Sequence, residues 1–181
     1  MNYIIFDLEA TCWENDRKRQ NEIIEIGAVK LNERLKTVSD FQIFVKPALS
    51  PQLSDFCKQL TSISQADVDA AVYFPQAISQ FQEWIGNEPY VLCSWGFYDK
   101  NQLQKDCALH QIASEWTDNH ISLKHQHGRM IGKERGVGME RALTMLKLPL
   151  EGTHHRGIDD AKNIAKIFVK IFDQILFAGN D

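Results

Sequence analysis

Asp7 and Glu9 stand two residues apart in the run Tyr3-Ile-Ile-Phe-Asp-Leu-Glu-Ala10. That run reads as a β-strand, and the two-residue period of a strand puts both carboxylates on one face with their Cα atoms ~6.6 Å apart. Tyr3 and Ile5 share that face and argue for burial, although a solvated outer face is the plain alternative. Two buried acids repel each other and lose their hydration, so something must compensate. Carboxylate oxygens suit Mg²⁺ or Mn²⁺. Asp99 follows the short apolar run Tyr90-Val-Leu-Cys-Ser-Trp95, after Gly96, and strand ends are where α/β sheets collect ligands; a helix-capping role is the alternative. Asp160 falls in the first turn of a terminal helix, at helical spacing from Ile164, Ile167 and Ile171, so it projects near the buried side of that helix, with a pure helix-dipole role the alternative; Asp159 is the better solvated acid at the positive end of the dipole. His155 lies five residues before Asp160 in the loop Thr153-His-His-Arg-Gly157. Beside an activated water its near-neutral pKa would make it a general base, and otherwise it is a surface histidine. His154 carries no comparable argument.

These groups are far apart in sequence, so the fold must bring them together. Strands are expected over Tyr3–Ala10, Ile23–Leu31 and Phe41–Val45, with Asn32 to Lys36 closing a hairpin and Pro47 and Pro51 ending the β region. Ser54 is placed to cap a short helix to Leu60. Ile78, Phe81 and Ile85 repeat at helical spacing between Pro75 and Gly86. Tyr90–Trp95 is a buried strand, Asp99 to His110 a helix, Asn119 to Leu123 a fifth strand and Met139 to Leu148 a helix. Ile158, Ala161, Ile164, Ala165, Phe168, Phe172, Ile175 and Leu176 form the apolar stripe of the last helix. The expectation is one α/β domain with a mixed sheet, spanning residues 1–181.

The chain's 181 residues are 44% hydrophobic and 24% charged, which excludes disorder, and its net charge of −4 confines any nucleic-acid surface to a local patch. Lys124, Arg129, Lys133, Arg135 and Arg141 exceed Glu134 and Glu140 by three, and Arg17-Lys18-Arg19 is a second cluster; either could follow a phosphate backbone or be only a solvated face. No apolar run reaches membrane-spanning length, and Asp7 and Glu9 break what would be a secretory signal. Cys12, Cys57, Cys93 and Cys107 form no C-x-x-C pair, so zinc is not expected and free thiols in a reducing cytoplasm are. Cys93 sits in an apolar strand and makes a poor nucleophile. The Gly128…Gly132-Lys133-Glu134 stretch lacks P-loop spacing and the Ser or Thr after the lysine.

Three ordered blocks, Phe6-Asp-Leu-Glu-Ala-Thr11, Trp95-Gly-Phe-Tyr-Asp99 and His155-Arg-Gly-Ile-Asp-Asp160, resemble the DEDD exonucleases of the His-containing type (DEDDh). The Glu-Ala-Thr-Cys12 run, Asn21-Glu-Ile-Ile-Glu-Ile26 and His155–Ile164 are similar to the branch acting on histone-mRNA ends and small interfering RNAs. The likeness spans about residues 3 to 172 and implies a ribonuclease H-like α/β fold, a central mixed five-stranded sheet flanked by helices. It implies Asp7, Glu9, Asp99 and Asp160 as the acids of a two-ion Mg²⁺ or Mn²⁺ site and His155 as the base. It also implies Leu8, Ala10 and Thr11 beside the terminal sugar and base, with Leu8 as plain core the alternative. Trp13, Phe97 and Tyr98 are possible stacking groups or structural aromatics.

The implied reaction is hydrolysis of single-stranded RNA, or less readily DNA, from its 3′ end, releasing nucleoside 5′-monophosphates. The sequence has no room before Tyr3 for the accessory nucleic-acid-binding domain of eukaryotic relatives, so recognition of RNA hairpins is not carried over. A non-catalytic binding or regulatory module on a nuclease fold, and a phosphoesterase for small nucleotides, are the competing readings. No membrane partner is expected.

Overall fold

From Tyr3 to Phe6 the first strand, β1 (Asn2–Ala10), is apolar and buried on both faces, the pattern of a strand covered by helices on each side. The computed structural model describes residues 1–16 and 18–177 and places β1 inside the sheet. β2 (Ile23–Leu31) pairs with it antiparallel, and β3 (Thr37–Lys46) pairs antiparallel with β2 across the expected turn. Ser54 caps α1 (Asp55–Thr61) by accepting from Cys57 N at 3.0 Å, and Ser64 and Asp67 form a capping box on α2 (Gln65–Asp69). A two-residue strand, β4 (Val72–Tyr73), leads into α3 (Phe74–Ile85), whose first turn accommodates Pro75. β5 (Tyr90–Ser94) lies parallel to β1 and is followed by α4 (Tyr98–Leu109). β6 (His120–Ser122) is parallel to β5 and runs into α5 (Leu123–Met130). α6 (Met139–Met145) and α7 (Gly157–Ile171) complete the order, with a 3-10 turn at Phe172–Gln174.

The sheet therefore has six strands in the order β4-β3-β2-β1-β5-β6, one more than expected. β4 is the addition: two residues are too few to show a period in sequence. The terminal stripe also ends early. The α-helix stops at Ile171 and the tighter turn rotates the residues beyond it, so Ile175 stays buried while Leu176 is 65% exposed.

Two cores cover the sheet. Ile4, Phe6 and Leu8 pack with Phe74, Ile78, Phe81 and Leu103 from α3 and α4. On the other face Tyr3 and Ile5 pack with Ile164, Phe168 and Ile171 of α7. This second face positions the acids. Tyr3 meets Phe168 with ring centroids 5.0 Å apart. Four residues along the strand from Tyr3 is Asp7, about 13 Å on. Eight residues back along the helix from Phe168 is Asp160, about 12 Å. Packing at one end of this strand–helix pair thus delivers the two carboxylates to each other at the other end.

Candidate active site

The carboxylates of Asp7, Glu9 and Asp160 meet at the C-terminal end of β1, with one oxygen of each within 4.8 Å of the others. They open on a cleft of about 400 Å³, which Asp99, His154, His155 and Lys124 also line. Asp99 sits in the first turn of α4, and its Oδ1 accepts from Leu8 N at 3.3 Å, which ties that helix to β1. Asp99 stands outside the tight trio but on the same cleft wall. A larger groove of about 540 Å³, between the β2–β3 hairpin and α7, contains none of these acids.

The electrostatics of the trio are set by burial and by the crowding of like charge. Burial first, then Asp99, Glu9, Asp160 and Glu25, push the Asp7 carboxyl well above its ordinary value. Glu9 is pushed up to about 8 by burial, with Asp160, Glu25 and Asp99 adding repulsion. Burial lifts Asp99 to about 6 against the opposing pull of the Leu8 N–H. Oxygen donors of this number, crowded and desolvated, suit a hard divalent cation, which would reverse these shifts.

His155 adopts φ +63°, the left-handed region. Its N–H donates to Asp160 Oδ2 at 2.9 Å, and its ring nitrogen approaches within 4.8 Å of an Asp160 oxygen. Burial, then the neighbouring His154, lower its pKa, so the imidazole is neutral and able to accept a proton near pH 7. His154, for which the sequence offered no argument, is part of the same group: its Nδ1 lies 3.0 Å from both Asp160 oxygens and its ring stacks on His155 at 4.0 Å. No spacing rule marks it; only the left-handed turn at His155 folds the two rings together. Asp159 is more than a solvated acid, since its Oδ2 accepts from Thr153 N at 2.8 Å and braces the same loop.

Sequence reasoning also passed over Glu25. It lies opposite Glu9 in the β1–β2 ladder, is fully buried, and accepts from Gln42, Arg156 and Gly157. Two residues on, Gly27 leaves the space that the start of α7 occupies, for a side chain there would run into the backbone of Gly157 and Ile158.

Among the residues expected near substrate, Leu8 and Ala10 line the cleft, and Leu8 is at the same time core at 4% exposure. Thr11 is buried behind them, its Oγ1 accepting from Glu22 N at 2.9 Å. Tyr98 lines the cleft and is 55% exposed. Phe97 lies against His125, ring centroids 4.8 Å apart, and Trp13 lies under the Arg19 guanidinium at 4.3 Å. Of the five cations between residues 124 and 141, Lys124 reaches the cleft wall, and its N–H donates to Trp95 O at 2.7 Å. In the other basic cluster Lys18 and Arg19 are exposed, and Arg17 lies outside the described residues. Burial pushes the Cys93 thiol up, which leaves it unreactive.

A family model described as "Exonuclease" matches residues 4–168. The mouse protein named 3'-5' exoribonuclease 1 is 34% identical over 92% of this chain and 52% of its own length. The fruit-fly 3'-5' exonuclease Snipper is 31% identical over 98% of this chain and 72% of its own. The chain thus spans about half the length of the exoribonucleases it matches first. Among solved structures, the nuclease domain of 3'hExo, described as a DEDDh family member bound to rAMP, superposes with a TM-score of 0.89 at 33% identity, covering 95% of this chain and 92% of that one. Exonuclease I, at 8% identity and a TM-score of 0.76, shares the fold. DEDDh nucleases depend on divalent metal ions, and the oxygen donors of Asp7, Glu9 and Asp160 fit that requirement. Family model, relatives and fold agree: this chain belongs to the exonuclease family, in its DEDDh group, alongside the branch that includes 3'-5' exoribonuclease 1.

Proposed function

We propose that this protein is a metal-dependent 3′→5′ exonuclease that removes nucleoside 5′-monophosphates from single-stranded ends, RNA in preference to DNA. The observation that carries the reading is the meeting of Asp7, Glu9 and Asp160 within 4.8 Å beside His155. The RNA preference is supported by the names of the relatives, 3'-5' exoribonucleases. Residues 1–181 act as a single exonuclease domain, a reading supported by one sheet whose strand β1 and flanking helices α4 and α7 bring every site acid to one cleft.

Asp7, Glu9, Asp99 and Asp160 would hold two Mg²⁺ or Mn²⁺ ions, whose Lewis acidity supplies charge stabilisation at the scissile phosphate and acidifies the attacking water. His155 accepts the proton of that water at its free imidazole nitrogen. Asp160 orients His155 through its backbone N–H and holds His154 against it. Leu8 and Ala10 offer an apolar wall to the terminal sugar and base, Thr11 fixes the strand exit beside them, and Tyr98 is placed to stack on a base. Lys124 contributes positive charge for the polymer backbone. Among the described residues no helix is long and apolar enough to cross a membrane, and four free cysteines support a reducing, cytoplasmic setting.

Incubation of 5′-labelled single-stranded RNA and DNA with Mg²⁺, Mn²⁺ or chelator tests the reading. The expected result is a ladder shortening from the 3′ end, faster on RNA, abolished by chelator. Internal cuts, or turnover of nucleotide monoesters with the polymer left intact, would overturn it.

A further inference from the structure

Glu25 takes no part in the chemistry above, yet it is 0% exposed and stands next to the acids. Its charge bears on Asp7 and Glu9, but its oxygens are bonded to a set of donors. Oε1 accepts from Gln42 Nε2 at 2.7 Å, and Oε2 accepts from Arg156 Nε at 3.2 Å and from Gly157 N at 3.0 Å. The two residues that donate to Oε2 come directly after His155. On the other side of the turn, the His155 N–H is taken by Asp160 Oδ2 at 2.9 Å. Between these anchors His155 holds φ +63°, a conformation that a non-glycine residue keeps only where its surroundings over-determine it. Asp160 is a poor sole anchor, because its oxygens also take His154 Nδ1 and face Asp7 and Glu9. Glu25 has no competing role, and close contact between Gly27 and Gly157 seats the loop against the strand that carries it.

We propose that Glu25 is a positioning residue, whose Oε2 fixes the left-handed turn at His155 by accepting from Arg156 and Gly157 and so aims the imidazole into the cleft. The inference rests on the exonuclease reading of that cleft. Its essence is an acceptor at a fixed reach rather than a charge. Glutamine preserves that shape: its amide oxygen replaces Oε2, and its NH₂ meets Gln42, whose own amide can turn to offer oxygen. Aspartate keeps the charge and falls one methylene short.

The test combines steady-state kinetics on single-stranded RNA with hydrogen exchange of the 153–157 loop, for Glu25→Ala, Glu25→Asp and Glu25→Gln. Glu25→Ala and Glu25→Asp are expected to lower kcat about 10- to 100-fold, as for other groups that orient a functional side chain, with little change in KM. Loop exchange should quicken in both. Glu25→Gln should recover most of kcat and slow loop exchange. The inference is overturned if Glu25→Asp keeps wild-type kcat and loop protection, if Glu25→Gln is as impaired as Glu25→Asp, or if KM rises as kcat falls. Should Glu25→Ala not fold, the aspartate and glutamine variants decide alone. A wild-type protein that shortens no RNA would strike the exonuclease reading instead, and the exchange measurements would still judge the role of Glu25.

Discussion

Glu22 and Glu9 are both buried glutamates, 2% and 8% exposed, at neighbouring ends of paired strands. Glu22 accepts three backbone N–H groups, from Ala48 at 2.6 Å, Leu49 at 2.8 Å and Ser50 at 2.9 Å. Glu9 has no hydrogen-bond donor among the described residues; its neighbours are other carboxylates, and it is pushed up to about 8. Burial alone therefore does not distinguish a structural acid from a functional one. The first has its charge answered by the backbone and organises a loop. The second is crowded by like charge, a cost to the fold that a bound cation would relieve.

The sharpest way to divide the acid cluster from the imidazole is His155→Ala. Hydrolysis should fall about 10²–10⁴-fold, as for a lost general base, while stabilisation of the fold by Mg²⁺ or Mn²⁺ persists. Near-wild-type turnover would remove His155 from the mechanism. Next, Glu22→Ala should destabilise the protein by ~2 kcal/mol in urea titrations, because buried N–H groups lose their acceptor, while the folded fraction keeps its metal dependence. Loss of metal dependence in that variant would break the contrast. Third, the protonated form of Glu9 is favoured in the metal-free fold between its ordinary 4.5 and about 8. The folded state then holds a proton that the unfolded chain has released, so stability falls as pH rises through that window. Melting temperatures at pH 5 and pH 8 should show this slope without metal and lose it with saturating Mg²⁺. Glu9→Gln should make it shallower in the absence of metal, with Asp7 and Asp99 supplying the slope that remains. Last, Lys124→Gln should reduce the slope of log KM against log salt by about 0.7, the value for one phosphate contact on a single strand; an unchanged slope would place Lys124 outside the path of the nucleic acid.

The acids were legible because a strand's period and a helix's stripe are local: Asp7 and Glu9 had to share a face, and Asp160 had to lie near the buried side of its helix. The five expected strands and the long helices came from the same local rules. β4 escaped because two residues carry no period, and Leu176 was misplaced because nothing in its apolarity announces the end of α7 at Ile171. His154 and Glu25 escaped for a different reason. Each acts through a partner that only the assembled chain supplies, Asp160 for the histidine and the Arg156–Gly157 backbone for the glutamate. Residues whose type and spacing suggest chemistry can be picked from the sequence; the contacts that hold them in place are visible only in three dimensions.

Because β1 lies between β2 and β5 and beneath helices on both faces, its amides should be among the last in the molecule to exchange with deuterated solvent. Asp7 and Glu9 ride on that most protected segment. Fraying at the sheet's margins, around β4 or β6, would then leave the proposed ion site's strand intact, and heat would dismantle that strand only in the cooperative melt of the whole sheet.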